Sequence, residues 1–167
     1  MAHLAIFQFL IECELAMNER KIYSTNVLTF YPADVALELE LPFVSNGIKA
    51  GFPSPALDFM GEKIDLNRIL IKHPMETFYA QVDGDSMKDA GIHDGDIMVV
   101  DRSMPHEDGK IFVCYLDGEF TVKRMKIDTA NEIVWLVAEN DAYPPIKITK
   151  ENDFIVWGRV VRVIKSI

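Results

Sequence analysis

Apolar residues gather into strand-length runs over the second half of the chain. The runs are Thr77–Val82, Asp96–Asp101, Lys110–Leu116, Glu119–Lys126, Ile133–Ala138 and Phe154–Ile164. Their lengths and their Val, Ile, Phe and Tyr content predict β-strands. Asp117-Gly118, between two of them, predicts a two-residue hairpin turn. Gly158, inside the last and longest run, predicts a bulge or bend. At a sheet edge, so long an apolar strand would invite pairing with a second subunit. Tyr143-Pro144-Pro145 interrupts the pattern. Before Thr77, Leu57, Met60, Ile64, Leu66 and Leu70 stand among Asp58, Glu62, Lys63, Asp65 and Arg68. That spacing predicts a short helix around 55–61 and a second turn near 65–69.

The N-terminal third lacks such order. Pro32 and Pro42 confine any helix there to the stretch Ala33–Leu41. Residues 18–50 therefore read as an extended, weakly structured arm. Residues 1–16 place Ile6, Phe7, Phe9, Leu10 and Ile11 on one face of a short helix that matches nothing further on. Met17, followed by Asn18-Glu19-Arg20, is a plausible soluble start, so residues 1–16 need not belong to the native domain. A chain of 167 residues, 49% hydrophobic, fits one mainly β domain with an arm.

Charge and composition narrow the chemistry. A net charge of −9 argues against a generic phosphate-binding surface. The arm is acidic and proline-interrupted, unlike a DNA-binding head, so no direct sequence-specific DNA binding is expected. Cys13 and Cys114 are far apart, and Cys114 lies in an apolar run that predicts a buried thiol. The four histidines are scattered, so neither a metal site nor a cofactor is expected. The apolar run Ala5–Ile11 is too short to span a membrane and lacks the basic flank of a signal peptide. The expected location is the cytoplasm, with no membrane association.

The one stretch with candidate chemistry is Gly84-Asp85-Ser86-Met87, followed by Gly91-Ile92-His93-Asp94-Gly95-Asp96. A serine just past a glycine turn at a strand end exposes its hydroxyl beside free backbone N–H groups. Such N–H groups are what an acyl-transfer oxyanion needs, and those of Asp85 and Ser86 are the candidates. Serine also needs a base. Lys123, in Gly118-Glu119-Phe120-Thr121-Val122-Lys123, serves if burial keeps it neutral. Alternation puts Lys123 on one strand face with Thr121 and Met125, which does not by itself bury it. A triad built on His93 or His106 with an aspartate is the rival chemistry. Neither Gly-Asp-Ser nor a strand lysine is specific alone.

Together these motifs, with Asp117 through Lys123, resemble the LexA/UmuD family of self-cleaving Ser-Lys peptidases. Ala50-Gly51-Phe52-Pro53-Ser54-Pro55-Ala56 resembles that family's cleavage segment, and Lys63-Ile64-Asp65-Leu66-Asn67 extends the likeness. The resemblance runs from about Leu41 to the C-terminus. It implies a C-terminal peptidase fold of twisted, mostly antiparallel sheets with an extended N-terminal arm. It implies hydrolysis of the Ala50–Gly51 bond by Ser86 and Lys123, with loss of residues 1–50 from a peptidase-like domain 51–167. It also implies a RecA filament on single-stranded DNA as the stimulus. The trimmed homodimer would then serve a UmuC-like polymerase in error-prone translesion synthesis during the SOS response to DNA damage. The alternatives are a LexA-type self-cleaving transcriptional repressor and a signal-peptidase-like enzyme acting in trans.

Overall fold

The computed structural model describes residues 38–43 and 62–167. The expected helix around 55–61, the first sixteen residues and the Ala50–Gly51 bond lie outside the described residues.

The first described piece is a short ribbon. Strand β1 (Glu40–Pro42) pairs antiparallel with β2 (Lys63–Asp65), Leu41 opposite Ile64. Phe43 N–H donates to the Glu62 carbonyl at 2.8 Å. This corrects the helical expectation for Ala33–Leu41 at its C-terminal end. The residue before a proline is pushed out of the α region, so Leu41 before Pro42 is extended. Helix α1 (Leu66–Leu70) follows, with the Asp65 side chain accepting from Asn67 N–H as its N-cap. It matches the turn expected near 65–69.

The rest is mainly β, as expected. Strands β3 (Thr77–Gln81), β4 (Ile97–Asp101), β5 (Ile111–Leu116), β6 (Glu119–Asp128), β7 (Ile133–Val137), β8 (Ile146–Ile148) and β9 (Phe154–Ile164) form one antiparallel sheet. Their spatial order is β3-β4-β9-β5-β6-β7-β8. Asp117-Gly118 makes the tight turn between β5 and β6, with both residues at positive φ. Strand β8 was not expected from the sequence. Three residues are too few to show an alternation, and they follow directly on the Pro144-Pro145 break.

Strand β9 is interior rather than an edge. Its first half pairs with β5 and its second half with β4. The register slips where Val113 faces Gly158 and Cys114 faces Val156, so the bend expected at Gly158 is present. A Cβ built on Gly158 would lie 2.8 Å from Val100 Cγ1 and 3.2 Å from the Asp101 carbonyl. Glycine is required there because strand β4 crosses too closely for a side chain.

Two apolar clusters flank this crossing. One joins Phe112, Cys114, Met125, Leu136 and Phe154 across β5, β6, β7 and β9. The other joins Phe78, Val82, Met87, Ile92, Met98 and Val100 beneath the β3–β4 connection. The second cluster is the floor on which the Gly84–Met87 turn rests. Among the described residues, no helix is long and apolar enough to cross a membrane.

Candidate functional site

The connection from β3 to β4 is closed at its base by backbone hydrogen bonds. Val82 N–H donates to the Asp96 carbonyl at 2.9 Å, and Gly95 N–H to the Val82 carbonyl at 3.0 Å. Gly84 sits at φ +94° and donates to Asp94 Oδ1 at 2.8 Å. Only glycine takes that backbone conformation without strain. Met87 is fully buried in the second cluster and anchors the turn from below. Its neighbour Ser86 is half-buried.

Lys123 reaches this turn from β6. As alternation requires, it shares a face with Thr121 and Met125, and Met125 is wholly buried. Lys123 itself is only 7% exposed. Its Nζ lies 2.8 Å from Ser86 Oγ, 2.9 Å from Thr121 Oγ1 and 3.0 Å from the Val122 carbonyl. Among the described residues no carboxylate forms an ion pair with it. Burial without a counter-charge disfavours the ammonium form, so its pKa falls below 10.5. The neighbouring strand adds a thiol, Cys114, opposite Thr121 in the register. Complete burial pushes that thiol up to about 12, leaving it a neutral packing group.

The arrangement holds a hydroxyl in hydrogen-bond contact with an amine whose burial favours the neutral form. An amine that accepts a hydroxyl proton makes the oxygen nucleophilic. The rival histidines have contacts of their own. His93 Nδ1 lies 3.0 Å from Lys165 Nζ, and its backbone N–H donates to Asp96 Oδ2 at 2.8 Å. His106 stacks edge-on against Phe112.

A third segment was missed by sequence reasoning. Residues 139–143, just past β7, hold the Gly84–Met87 turn through hydrogen bonds. Glu139 N–H donates to the Ser86 carbonyl at 2.9 Å, and Asp89 N–H to the Glu139 carbonyl at 2.9 Å. Asn140 Nδ2 donates to the Asp85 carbonyl at 3.1 Å and to Asp85 Oδ2 at 3.2 Å. The Tyr143 hydroxyl donates to Asp85 Oδ1 at 2.6 Å. That bond is the main cause holding the Asp85 carboxyl below its ordinary range, and it raises the Tyr143 hydroxyl in turn. The Glu139 side chain meets Arg124, which also donates to the Gly109 carbonyl at 2.6 Å. The only sequence signal for this segment was the Tyr143-Pro144-Pro145 break, which marks a turn but not its partner.

Residues 42–161 match the Peptidase S24-like family. Protein SamA of Salmonella typhimurium (strain LT2) is 39% identical over 120 residues, covering 72% of this chain and 84% of that protein. Protein MucA of Escherichia coli is 38% identical over 121 residues, covering 72% of this chain and 81% of that protein. The LexA repressor of Carboxydothermus hydrogenoformans is 33% identical over 127 residues, covering 76% of this chain and 60% of that protein. With its fold and these relatives, the chain belongs to the Peptidase S24-like proteins as a UmuD-type member of the LexA/UmuD family.

Proposed function

We propose that the chain hydrolyses its own Ala50–Gly51 bond with Ser86 as nucleophile and Lys123 as general base. The observation that carries this reading is the 2.8 Å approach of a buried, unpaired lysine amine to the serine hydroxyl. Ser86 Oγ attacks the Ala50 carbonyl carbon as its proton passes to Lys123 Nζ. Lys123 returns that proton to the departing Gly51 amine, which leaves Ala50 as an ester on Ser86. Water, deprotonated by the same amine, then attacks the ester and releases the Ala50 carboxylate and the serine. The N–H groups of Asp85 and Ser86 receive the oxyanion. Tethering supplies the substrate at high effective concentration. The tie between Phe43 and Glu62 supports this, because both ends of the segment containing Ala50 and Gly51 are fixed to one ribbon.

The biological setting follows the family. A RecA filament on single-stranded DNA stimulates cleavage in the cytoplasm. The resulting Gly51–Ile167 fragment works as a homodimer beside a UmuC-like polymerase in SOS mutagenesis.

The test is incubation of purified protein with RecA, nucleotide and single-stranded DNA, followed by mass spectrometry. A large fragment beginning Gly-Phe-Pro is expected, and Ser86→Ala is expected to stay folded and intact. A different N-terminus, or cleavage by Ser86→Ala at the normal rate, overturns the assignment.

A further inference from the structure

We propose that Asn140 is a positioning residue that aims the backbone N–H of Ser86 at the oxyanion, an inference that rests on the self-cleavage reading above. The argument starts from the peptide bond. The carbonyl of Asp85 and the N–H of Ser86 belong to one planar unit, and none of the described peptide bonds is cis. In a trans unit the two groups point in opposite directions. Whatever fixes the Asp85 carbonyl therefore fixes the Ser86 N–H.

Among the described residues two donors fix that carbonyl: Asn140 Nδ2 at 3.1 Å and Lys88 N–H at 3.2 Å. The Lys88 bond lies within the turn and moves with it. The Asn140 bond comes from another part of the fold and holds the turn against the body. Asn140 is itself tightly determined. It is 5% exposed, and its Oδ1 accepts from Ala142 N–H at 3.1 Å. That leaves its amide group facing two Asp85 oxygens, where only donors fit. One residue before Asn140, Glu139 N–H holds the Ser86 carbonyl at 2.9 Å and fixes the next peptide unit in the same way. The nucleophile is thus held between two peptide planes, both oriented by the segment that follows β7. No bond joins Asn140 to Lys123, so its effect falls on the oxyanion donor and not on the base.

The experiment measures self-cleavage of the full chain, without RecA, between pH 7 and 10. The variants are Asn140→Ala, Asn140→Asp and Ser86→Ala. Asn140→Asp keeps the size but puts a carboxylate against the Asp85 oxygens. Loss of one well-aimed oxyanion donor slows acyl transfer by about a hundredfold or more, and misaiming it is expected to slow cleavage by about ten- to a hundredfold. In Asn140→Ala, which adds no charge, the slowing should be equal at every pH, with the midpoint of the pH–rate curve where the wild type has it. Tyr143→Phe, which loosens only the Asp85 side chain, should slow cleavage less than Asn140→Ala.

A wild-type rate in both Asn140 variants overturns the proposal. So does a midpoint that moves upward in Asn140→Ala, because water reaching Lys123 would then explain the loss. If both variants lose the native far-ultraviolet circular dichroism, Asn140 is structural and the proposal falls. Cleavage by Ser86→Ala would instead sink the underlying self-cleavage reading, whatever the Asn140 variants do.

Discussion

Lys123 carries two opposed demands in one side chain. As the proposed base its amine would have to be neutral to take a proton, and burial favours that form at the expense of stability. In the window between its lowered pKa and 10.5, the unfolded lysine holds a proton that the folded one lacks. Stability from this group therefore rises with pH across that window, by about 1.4 kcal/mol per unit. Lys123→Met has no such slope. Chemical denaturation of both chains from pH 7 to 10.5 should show the wild type gaining on the variant as pH increases. Parallel curves would mean that Lys123 is charged in the fold. Cleavage should accelerate over the same range, and Lys123→Arg should not cleave at any pH because guanidinium stays charged. A glycine turn and a strand face each leave a local mark in the sequence at Ser86 and Lys123, but neither is specific, and it was the family resemblance that joined the two. Asn140 and Tyr143 leave none. Their role depends on a contact across 55 or more positions that no periodicity encodes.

Among the elements, β9 shows how much a single close approach decides. Gly158→Ala would press a methyl group against Val100 Cγ1, the Asp101 carbonyl and Arg102 Cγ. Relief requires a shift of β4, so a loss of about 1–3 kcal/mol is expected, measured as a lowered urea midpoint. An unchanged midpoint would show that β4 yields freely. The bend at Gly158 was readable from the sequence, whereas its cause was not, because β4 lies more than fifty residues earlier. The β1–β2 ribbon makes the opposite case. It is three residues long on each side and exposed along β1. Isolated two-stranded ribbons are marginal in water. Once Ala50–Gly51 is cut, the fragment 1–50 should separate from the body on gel filtration. Co-elution would mean that contacts beyond the ribbon hold it.

For the molecule as a whole, alkaline pH sets a limit. The Cys114 thiol ionises near 9.0 when unfolded and at about 12 when folded. The folded state therefore holds a proton that the unfolded state has lost, and stability falls as pH rises through that interval. The full fall is about 4 kcal/mol. Cys114→Val should abolish this part of the decline, seen as a shallower drop in thermal midpoint above pH 9. Equal drops would place the sensitivity elsewhere. The mainly β character was legible because six runs of strand length dominate the second half of the chain. The order of strands was not, because β9 enters between β4 and β5 only through packing.

That insertion also governs timing. In the sheet, the β3–β4 pair and the β5–β8 group meet only through β9. Ser86 belongs to the first and Lys123 to the second. During synthesis Ala50, Ser86 and Lys123 all leave the ribosome before Phe154 does. A nascent chain thus contains all three residues while still lacking the strand that joins the two parts of the sheet. On the self-cleavage reading, the last strand would act as a delay, and the order of translation would protect an unfinished molecule from cutting itself. A chain ending at Asp153 should remain intact at pH 10, where the complete protein is expected to cleave.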